Sequence, residues 1–204
     1  MSDRASHLRI ERLSGPAIVP YLPALARLRI AVFREFPYLY DGSVAYEERY
    51  LQTYARSTRG VMVTVFDGEE IVGASSGLPL ADETPEVQRP FLANGFKLEE
   101  VFYFGESVLL RPYRGCGLGV RFFQEREAHA RALGGFRWTS FCAVQRPVDH
   151  PRRPADYVPL DAFWEKRGYR KHPELNTEFV WQDLDESEPS PKPMTFWLKP
   201  LEER

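Results

Sequence analysis

The sequence predicts a mixed α/β domain in which helices pack on a β-sheet. Short β-rich segments alternate along the chain with segments whose apolar residues recur at helical spacing. The dipeptide Asp67-Gly68 joins two β-rich runs and is a strong hairpin signal. Hydrophobic residues make up 43% of the 204 residues, which is enough to form a core.

The N-terminal half contains a strand, two helices and a hairpin. The first strand is predicted in HLRIERL, where Leu8 and Ile10 alternate with charged residues. AIVPYLPALARLRIAVFREFP is apolar at positions 18, 22, 25, 28 and 32, so it predicts a helix that Pro37 closes. SVAYEERYLQTYAR predicts a second helix with Ser43 as its N-cap. The hairpin follows, and residues from about 79–100 are interpreted as an irregular insertion with room for a short helix.

The C-terminal half contains four strands and two helices. VFYFGESVLL predicts a buried strand, and a helix is expected from about Gly117 to Leu133, with Arg126 interrupting its apolar face. GGFRWTSFCAV predicts another strand, and about 145–159 is a proline-rich loop. LDAFWEKRGY predicts a short helix ended by Gly168, and NTEFVWQDL and MTFWLKPL predict the last strands. The final strand is apolar on both faces, so it is either shared in a homodimer or buried within one chain.

The composition argues against several classes of protein. The net charge is -2 and the basic residues form no stripe, so nucleic acid is not an expected partner. No apolar run approaches the roughly 18 residues of a membrane helix, and the N-terminus has no apolar signal-peptide centre. Cys116 and Cys142 have no metal-ligand spacing. We therefore expect a cytoplasmic protein with free thiols, no metal and no membrane partner.

The segment RPYRGCGLGVRFF places three glycines directly before a predicted helix. The first amides of a helix lack partners and its dipole favours negative charge, so this loop predicts an anion site. A Walker loop is excluded because no Gly-Lys-Ser/Thr is present. The dinucleotide fingerprint also fails, since its third glycine would fall at Val120 or Phe122.

The pattern Arg114-x-x-Gly117-x-Gly119 in YRGCGLG resembles the acyl-CoA pyrophosphate loop of the GNAT superfamily of N-acetyltransferases. AFWEKRGY is similar to that family's late LYEKLGF segment, and the resemblance covers most of the chain. It implies a single domain over 1–204 whose central sheet is mixed, mostly antiparallel and has about seven strands, with helices on both faces. It also implies acetyl-CoA as co-substrate.

The resemblance assigns the acetyl-CoA site to two segments. The family's central strand splays from its neighbour through a bulge, so the backbone of Val108, Leu109 and Leu110 would bind the pantetheine arm. Arg114 would shape the loop or pair with a phosphate. One departure is that Arg111 stands where the family usually has proline. The pyrophosphate would be held by the amides of Gly115, Cys116, Gly117, Leu118, Gly119 and Val120.

The candidate general base is Glu106, which is the only carboxylate in its apolar strand. Its alternatives are an ion pair with a cationic side chain or a solvated position at a sheet edge. Ser107 would point to the opposite face. His150 is a second candidate, acting through water.

The candidate general acid is Tyr157. The family's late segment commonly carries a tyrosine that can protonate the leaving thiolate, but the matching position here is Trp164. An indole cannot supply a proton near neutral pH, so Trp164 is assigned to the acetyl-CoA site. Water is the rival proton donor to Tyr157.

The resemblance implies an acyltransferase that moves an acetyl group to a primary amine by direct attack in a ternary complex. The acceptor would be a small molecule or a protein amine. Phe33, Phe36, Tyr38 and Tyr40 either line its pocket or pack in the core. A noncatalytic CoA-binding module is the alternative, and a nucleotide-binding protein that uses the loop differently is another.

Overall fold

An eight-stranded mixed sheet forms the centre of the computed structural model, which describes residues 7–202. The strand order is β1-β2-β3-β4-β6-β8-β7, with β5 beside β3. Only β4 and β6 pair in parallel among the described residues. The predicted sheet is therefore confirmed, and an additional strand arises because the segment predicted as one strand, VFYFGESVLL, is divided in two. The strands are β1 (Leu8–Leu13), β2 (Val61–Asp67), β3 (Glu70–Pro79), β4 (Val101–Tyr103), β5 (Ser107–Leu109), β6 (Trp138–Val144), β7 (Arg170–Trp181) and β8 (Ser190–Pro200).

Five α-helices pack on this sheet in the described residues: α1 (Leu22–Phe33), α2 (Val44–Arg56), α3 (Pro85–Ala93), α4 (Leu118–Leu133) and α5 (Asp161–Glu165). The predicted N-cap is confirmed, because Ser43 Oγ accepts a hydrogen bond from Tyr46 N at 3.3 Å.

The first predicted helix begins later than its apolar pattern suggested. A 3₁₀ segment, Gly15–Tyr21, precedes α1 and contains Pro20, which has no amide for an α-helical bond.

The segment interpreted as an insertion is ordered and mostly helical. It contains a 3₁₀ turn at Leu80–Asp82, α3, and a second 3₁₀ turn at Leu98–Glu100. Pro85 occupies the first turn of α3, where a missing amide costs no helical bond. This segment covers one side of the sheet and contributes residues to the cavity described below.

The core is divided by the sheet into two layers. Residues of α1, α2 and α3, such as Leu25, Leu51 and Phe91, are buried on one face. Phe122 and Phe123 of α4 are buried on the other face. Helices therefore lie on both faces, as the resemblance implied.

The expectation that no apolar run approaches the length of a membrane helix was wrong, because the 19-residue segment Gly15–Phe33 is long and apolar enough by length and composition alone, with a mean hydropathy of 1.3 in its most apolar window. In the structure it contributes Ile18, Leu22 and Leu25 to the core. Arg29 on the same segment is buried in an ion pair. In total, 33% of its most apolar window is buried.

The last strand, β8, lies between β6 and β7 and pairs with both. Phe196, Trp197 and Leu198 are each at most 1% exposed. Both apolar faces of the strand are thus covered within one chain, which is one of the two explanations that its sequence allowed.

Candidate active site

The site begins at a break in the strand predicted over VFYFGESVLL. Tyr103, at the end of β4, pairs with Ser140 of β6, and the amide of Phe104 donates to the Ser140 carbonyl at 2.7 Å. The following strand, β5, pairs with β3 and with no other strand of the described chain. A gap therefore opens between β5 and β6, as the resemblance implied.

Backbone groups on one edge of β5 face this gap. Ser76 N donates to Glu106 O and Leu110 N donates to Val72 O, so the even-numbered residues bond to β3. Antiparallel pairing alternates, and the backbone groups of Ser107 and Leu109 therefore point toward the gap. Of the three residues expected to offer backbone groups to pantetheine, Leu109 faces the gap, whereas Val108 and Leu110 face β3.

Arg126 of α4 holds the break in place. Its guanidinium donates to the carbonyl of Glu106 at 3.0 Å, to the carbonyl of Ser76 at 3.2 Å and to Ser107 Oγ at 2.9 Å. Burial lowers the pKa of Arg126 to about 10, so the side chain remains charged at neutral pH. The sequence suggested that Arg126 interrupts an apolar face. It does lie on that buried face, where it is 1% exposed and adds a second hydrogen bond to two carbonyls that already accept backbone amides.

Gly105 lies within the break and leaves room for a hydroxyl group. A Cβ atom at this position would overlap the Tyr54 hydroxyl oxygen and lie 2.7 Å from Ser76 Oγ. Tyr54 is fully buried in α2, so α2 reaches the sheet where the strand divides. Only a residue without a side chain fits here unless Tyr54 moves.

The glycine loop presents a row of free amides. Gly115 and Gly117 have φ values of 80° and 88°, a conformation that favours glycine, and Gly117 caps α4. Within residues 7–202, the amides from Gly115 to Gly119 donate to no protein acceptor. The amide of Val120 donates to the Gly117 carbonyl at 3.0 Å, so the free donors end one residue earlier than expected. Aligned free amides at a helix start suit a phosphate group.

Arg114 shapes this loop. Its Nε donates to the Leu109 carbonyl at 2.9 Å, and its two other nitrogens bind the Glu35 carboxylate at 2.9 and 3.1 Å. Arg111 contacts the same carboxylate at 3.3 Å. Burial alone would raise the pKa of Glu35, but hydrogen bonds from Arg114 and Arg111 outweigh it and lower the pKa. Of the two roles predicted for Arg114, the structure therefore shows the first.

A cavity of about 680 Å³ lies on the α1 and α2 side of the sheet and reaches the break at Tyr103, Gly105 and Cys142. Phe33, Tyr38 and Tyr40, three of the four aromatic residues expected at an acceptor pocket, line it. Phe36 is not among the lining residues. Its ring instead packs against Tyr157 at 4.6 Å and His150 at 5.6 Å.

The cavity is acidic. Arg29 is its only lining lysine, arginine or histidine in the described chain. Burial, which lowers the pKa of Arg29, is outweighed by Glu106 and Glu47, and the pKa is raised. The carboxylates that line the cavity are Asp41, Glu47, Glu83, Glu86 and Glu178.

Glu106 lies at the break and forms a buried ion pair. Its side chain is 2% exposed, and Oε2 lies 2.6 Å from Arg29 Nη1. Arg29 also pairs with Glu47 and stacks against the Tyr50 ring at 4.5 Å. The structure thus shows one alternative considered for Glu106, pairing with a cationic side chain. Within residues 7–202, Oε2 is buried and accepts no hydrogen bond, so its contact with Arg29 is an ion pair only.

Tyr157, the candidate proton donor, and Trp164, which stands at the position of the family's tyrosine, lie in different parts of the structure. Tyr157 is half-buried against Phe36, and burial raises the pKa of its hydroxyl, with Arg153 acting in the opposite direction. Trp164 packs against Phe141 at 5.0 Å and Trp197 at 5.1 Å, on the α4 side of the sheet. The alternative base, His150, accepts a hydrogen bond from Arg152 N at 3.2 Å.

Sequence reasoning missed Arg29, Glu35, Tyr54 and Glu83. The local sequence around each one is that of an ordinary helix or turn. Each belongs to the site only because it contacts residues that are distant in sequence. Burial raises the pKa of Glu83, partly offset by hydrogen bonds from Thr84 N and Tyr54. Across the part of the chain that the structure describes, no cluster of His, Cys, Asp or Glu side chains suits a metal ion.

No family model matches this sequence, and no curated protein is similar to it. Solved structures do share its fold. An acetyltransferase of the GNAT family from Streptococcus pneumoniae is 14% identical with a TM-score of 0.57, covering 96% of this chain and 99% of its own. The ribosomal-protein-alanine N-acetyltransferase of Brucella melitensis is 15% identical with a TM-score of 0.61, covering 95% and 99%. Arabidopsis thaliana NAA60, in complex with a bisubstrate analogue, is 11% identical with a TM-score of 0.56, covering 95% and 100%.

These likenesses show that the chain has the fold of the GNAT acetyltransferases. The resemblance drawn from YRGCGLG and AFWEKRGY is therefore confirmed at the level of the fold.

Proposed function

We propose that this chain is an acyltransferase that moves an acetyl group from acetyl-CoA to a primary amine by direct attack in a ternary complex. One observation carries the proposal. The sheet opens between β5 and β6 directly before a loop of free amides, and an acidic cavity reaches the same opening from the α1 and α2 side. A phosphate-bearing thioester and an amine could therefore approach one point of the sheet from different directions.

The residues present fit acetyl-CoA. The free amides from Gly115 to Gly119 and the helix dipole would hold its pyrophosphate. The exposed edge of β5, through Ser107 and the Leu109 amide, would bind the pantetheine arm, since Arg114 already occupies the Leu109 carbonyl. When bound, acetyl-CoA supplies the acyl group as a reactive thioester.

The chain must remove a proton from the acceptor. A lysine-like amine has a pKa of about 10.4, so its neutral form costs roughly 4.6 kcal/mol at pH 7. Glu106 is the proposed acceptor of this proton: an N–H bond breaks and an O–H bond forms at Oε1. Arg29 Nη1 lies 2.6 Å from Oε2 and would orient the Glu106 carboxylate at the break.

Tyr157 is the proposed donor to the leaving thiolate, with solvent as the alternative donor. Its hydroxyl is half-buried beside Phe36, which adjoins the residues that line the cavity. Trp164 is proposed to contact acetyl-CoA through its ring without taking part in proton transfer.

The test is turnover of acetyl-CoA with a panel of small-molecule and peptide amines. Release of CoA should be measured by chromatography and the acetylated amine by mass spectrometry, because Cys116 is exposed and would react with a thiol dye. CoA release that depends on an amine supports the proposal. Tight CoA binding without turnover on any amine would instead support the noncatalytic CoA-binding module. Competition by ATP for the loop would favour a nucleotide-binding protein.

A further inference from the structure

The buried carboxylates in and beside the cavity, Glu47, Glu83 and Glu106, outnumber Arg29, the single cation there in the described chain. Arg29 already contacts both Glu47 and Glu106, which are 1% and 7% exposed. Glu83, also 7% exposed, lines the same cavity and forms no ion pair in residues 7–202. A buried carboxylate without a cation is costly, so this wall is complementary to a positively charged ligand.

The Glu83 carboxylate is held in a fixed orientation. Tyr54 Oη donates to Oε1 at 3.2 Å and the Thr84 amide donates to Oε2 at 3.1 Å. Tyr50 Oη lies 2.9 Å from Tyr54 Oη and extends this chain to the cavity wall. Two neutral donors therefore position Glu83 without neutralising it. The titratable and charged groups that face it from the surrounding elements are Arg29 of α1, Tyr50 and Tyr54 of α2, Tyr103 of β4, Glu106 at the break and Cys142 of β6.

The rest of the cavity favours the same ligand charge. The aromatic rings that line the cavity attract cations through their faces and provide apolar surface for the hydrocarbon part of an amine. The mouth carries the exposed carboxylates Asp41, Glu86 and Glu178. Asp41 pairs with Arg34 at 3.1 Å and Glu86 lies 3.9 Å from Arg89, so Glu178 is the one that would chiefly repel an anion. The aromatic lining residues are Phe33, Tyr38, Tyr40, Tyr46, Tyr50, Tyr103, Phe179 and Trp181.

We infer that Glu83 is the specificity-determining carboxylate of the acceptor site. It binds the acceptor as a cationic amine on an apolar stem and rejects amines that carry a neighbouring carboxylate. This inference rests on the proposed function, in which Glu106 then takes the proton.

Three probes of similar shape test the inference in the CoA-bound protein by calorimetry: phenethylamine, the neutral 2-phenylethanol and the zwitterion phenylalanine. Wild type should bind phenethylamine about tenfold or more tightly than either of the others, because the alcohol has no positive charge to pair with Glu83 and the zwitterion adds a carboxylate that Glu83 repels. Glu83→Gln should weaken phenethylamine binding about tenfold and leave 2-phenylethanol unchanged. Equal or absent binding of the ammonium and alcohol probes to wild type would overturn the inference.

Two further variants separate charge from fold. Glu83→Asp keeps the charge and should retain the preference for the ammonium probe, so a loss of folding in Glu83→Gln would not end the test. Glu178→Gln removes an exposed carboxylate at the mouth and should change probe binding far less than Glu83→Gln. Equal effects of the two glutamine variants would mean that general acidity, and not Glu83, selects the cation.

The binding test and the turnover test can contradict the inference on Glu83 and the proposed function independently. If phenethylamine binding depends on Glu83 but no amine is acetylated, the proposed function is wrong and the cation site stands. If amines are acetylated but Glu83→Gln leaves the KM for phenethylamine unchanged, the function stands and this inference is wrong.

Discussion

The side chain of Arg29 contacts several groups of the candidate site. Its guanidinium pairs with Glu47 and Glu106 and stacks on Tyr50, and it is 9% exposed. By sequence it was a charged residue in an apolar helix with no indication of its partners. The candidate base Glu106 could be named because it interrupts an apolar strand, whereas its ion pair depends on α1 packing beside the break.

Glu106→Gln should lower kcat by roughly 10²-fold or more and leave acetyl-CoA binding nearly unchanged, because the amide cannot accept the proton. Steady-state kinetics and calorimetry with acetyl-CoA measure the two effects. The acidic limb of the pH–rate profile should move or disappear.

Glu47→Gln is the matched control, since it removes the other carboxylate from Arg29 and keeps Glu106. We expect a smaller fall in kcat and a retained acidic limb. If the two variants behave alike and the limb is unchanged, Glu106 serves only to hold Arg29.

Tyr157→Phe should slow the chemical step and alter the basic limb of the profile, because only the hydroxyl is removed. Burial raises the pKa of Tyr157, so this limb should lie at higher pH than that of a free tyrosine. Trp164→Phe should change acetyl-CoA affinity through lost packing and leave the limb in place. A kinetically silent Tyr157→Phe would assign thiolate protonation to solvent.

At the scale of elements, the local patterns predicted most of what the chain forms. The hairpin at Asp67-Gly68, the Ser43 cap and the helix after the loop follow from residues close in sequence. The division of the central strand could not be predicted from composition, because it requires Tyr54 of α2 and Arg126 of α4 to meet at Gly105.

Gly105→Ala should destabilise the fold by about 1–3 kcal/mol, since its Cβ would overlap the Tyr54 hydroxyl. Denaturant unfolding measures this loss. Tyr54→Phe in the same chain removes the overlapping oxygen and should recover part of the stability. The steric explanation fails if the loss in free energy of unfolding of the double variant equals or exceeds the sum of the losses of the two single variants.

Gly117→Glu should abolish CoA binding, because it adds a side chain at a positive φ and a like charge at the anion site. Gly68→Glu is the matched control, as Gly68 also has a positive φ, 59°, but lies in the β2–β3 turn. Calorimetry should show CoA binding for the control only. Binding that survives Gly117→Glu in a folded protein would contradict the assignment of the loop.

At the scale of the molecule, the buried carboxylate of Glu83 makes stability depend on pH. Burial raises the pKa of Glu83, whereas an unfolded glutamate titrates near about 4.3. As the pH rises above that value, the unfolded chain releases this proton first, so the contribution of Glu83 to stability falls.

Glu83→Gln should remove that fall and stabilise the protein near neutral pH relative to wild type. Urea unfolding between about pH 4 and 8 measures both curves. Glu178→Gln, an exposed carboxylate, serves as the control and should leave the dependence unchanged. Parallel curves for wild type and Glu83→Gln would contradict the prediction.

The short segment that follows α1 touches both halves of the site. Glu35 holds Arg114 of the amide loop, while Phe33 and Tyr38, on either side of it, line the cavity. A shift of this segment would move groups at both proposed ligand sites, so we expect the affinities for CoA and for the amine to be thermodynamically linked. Linkage is reciprocal, so if CoA tightens amine binding, the amine must tighten CoA binding by the same factor.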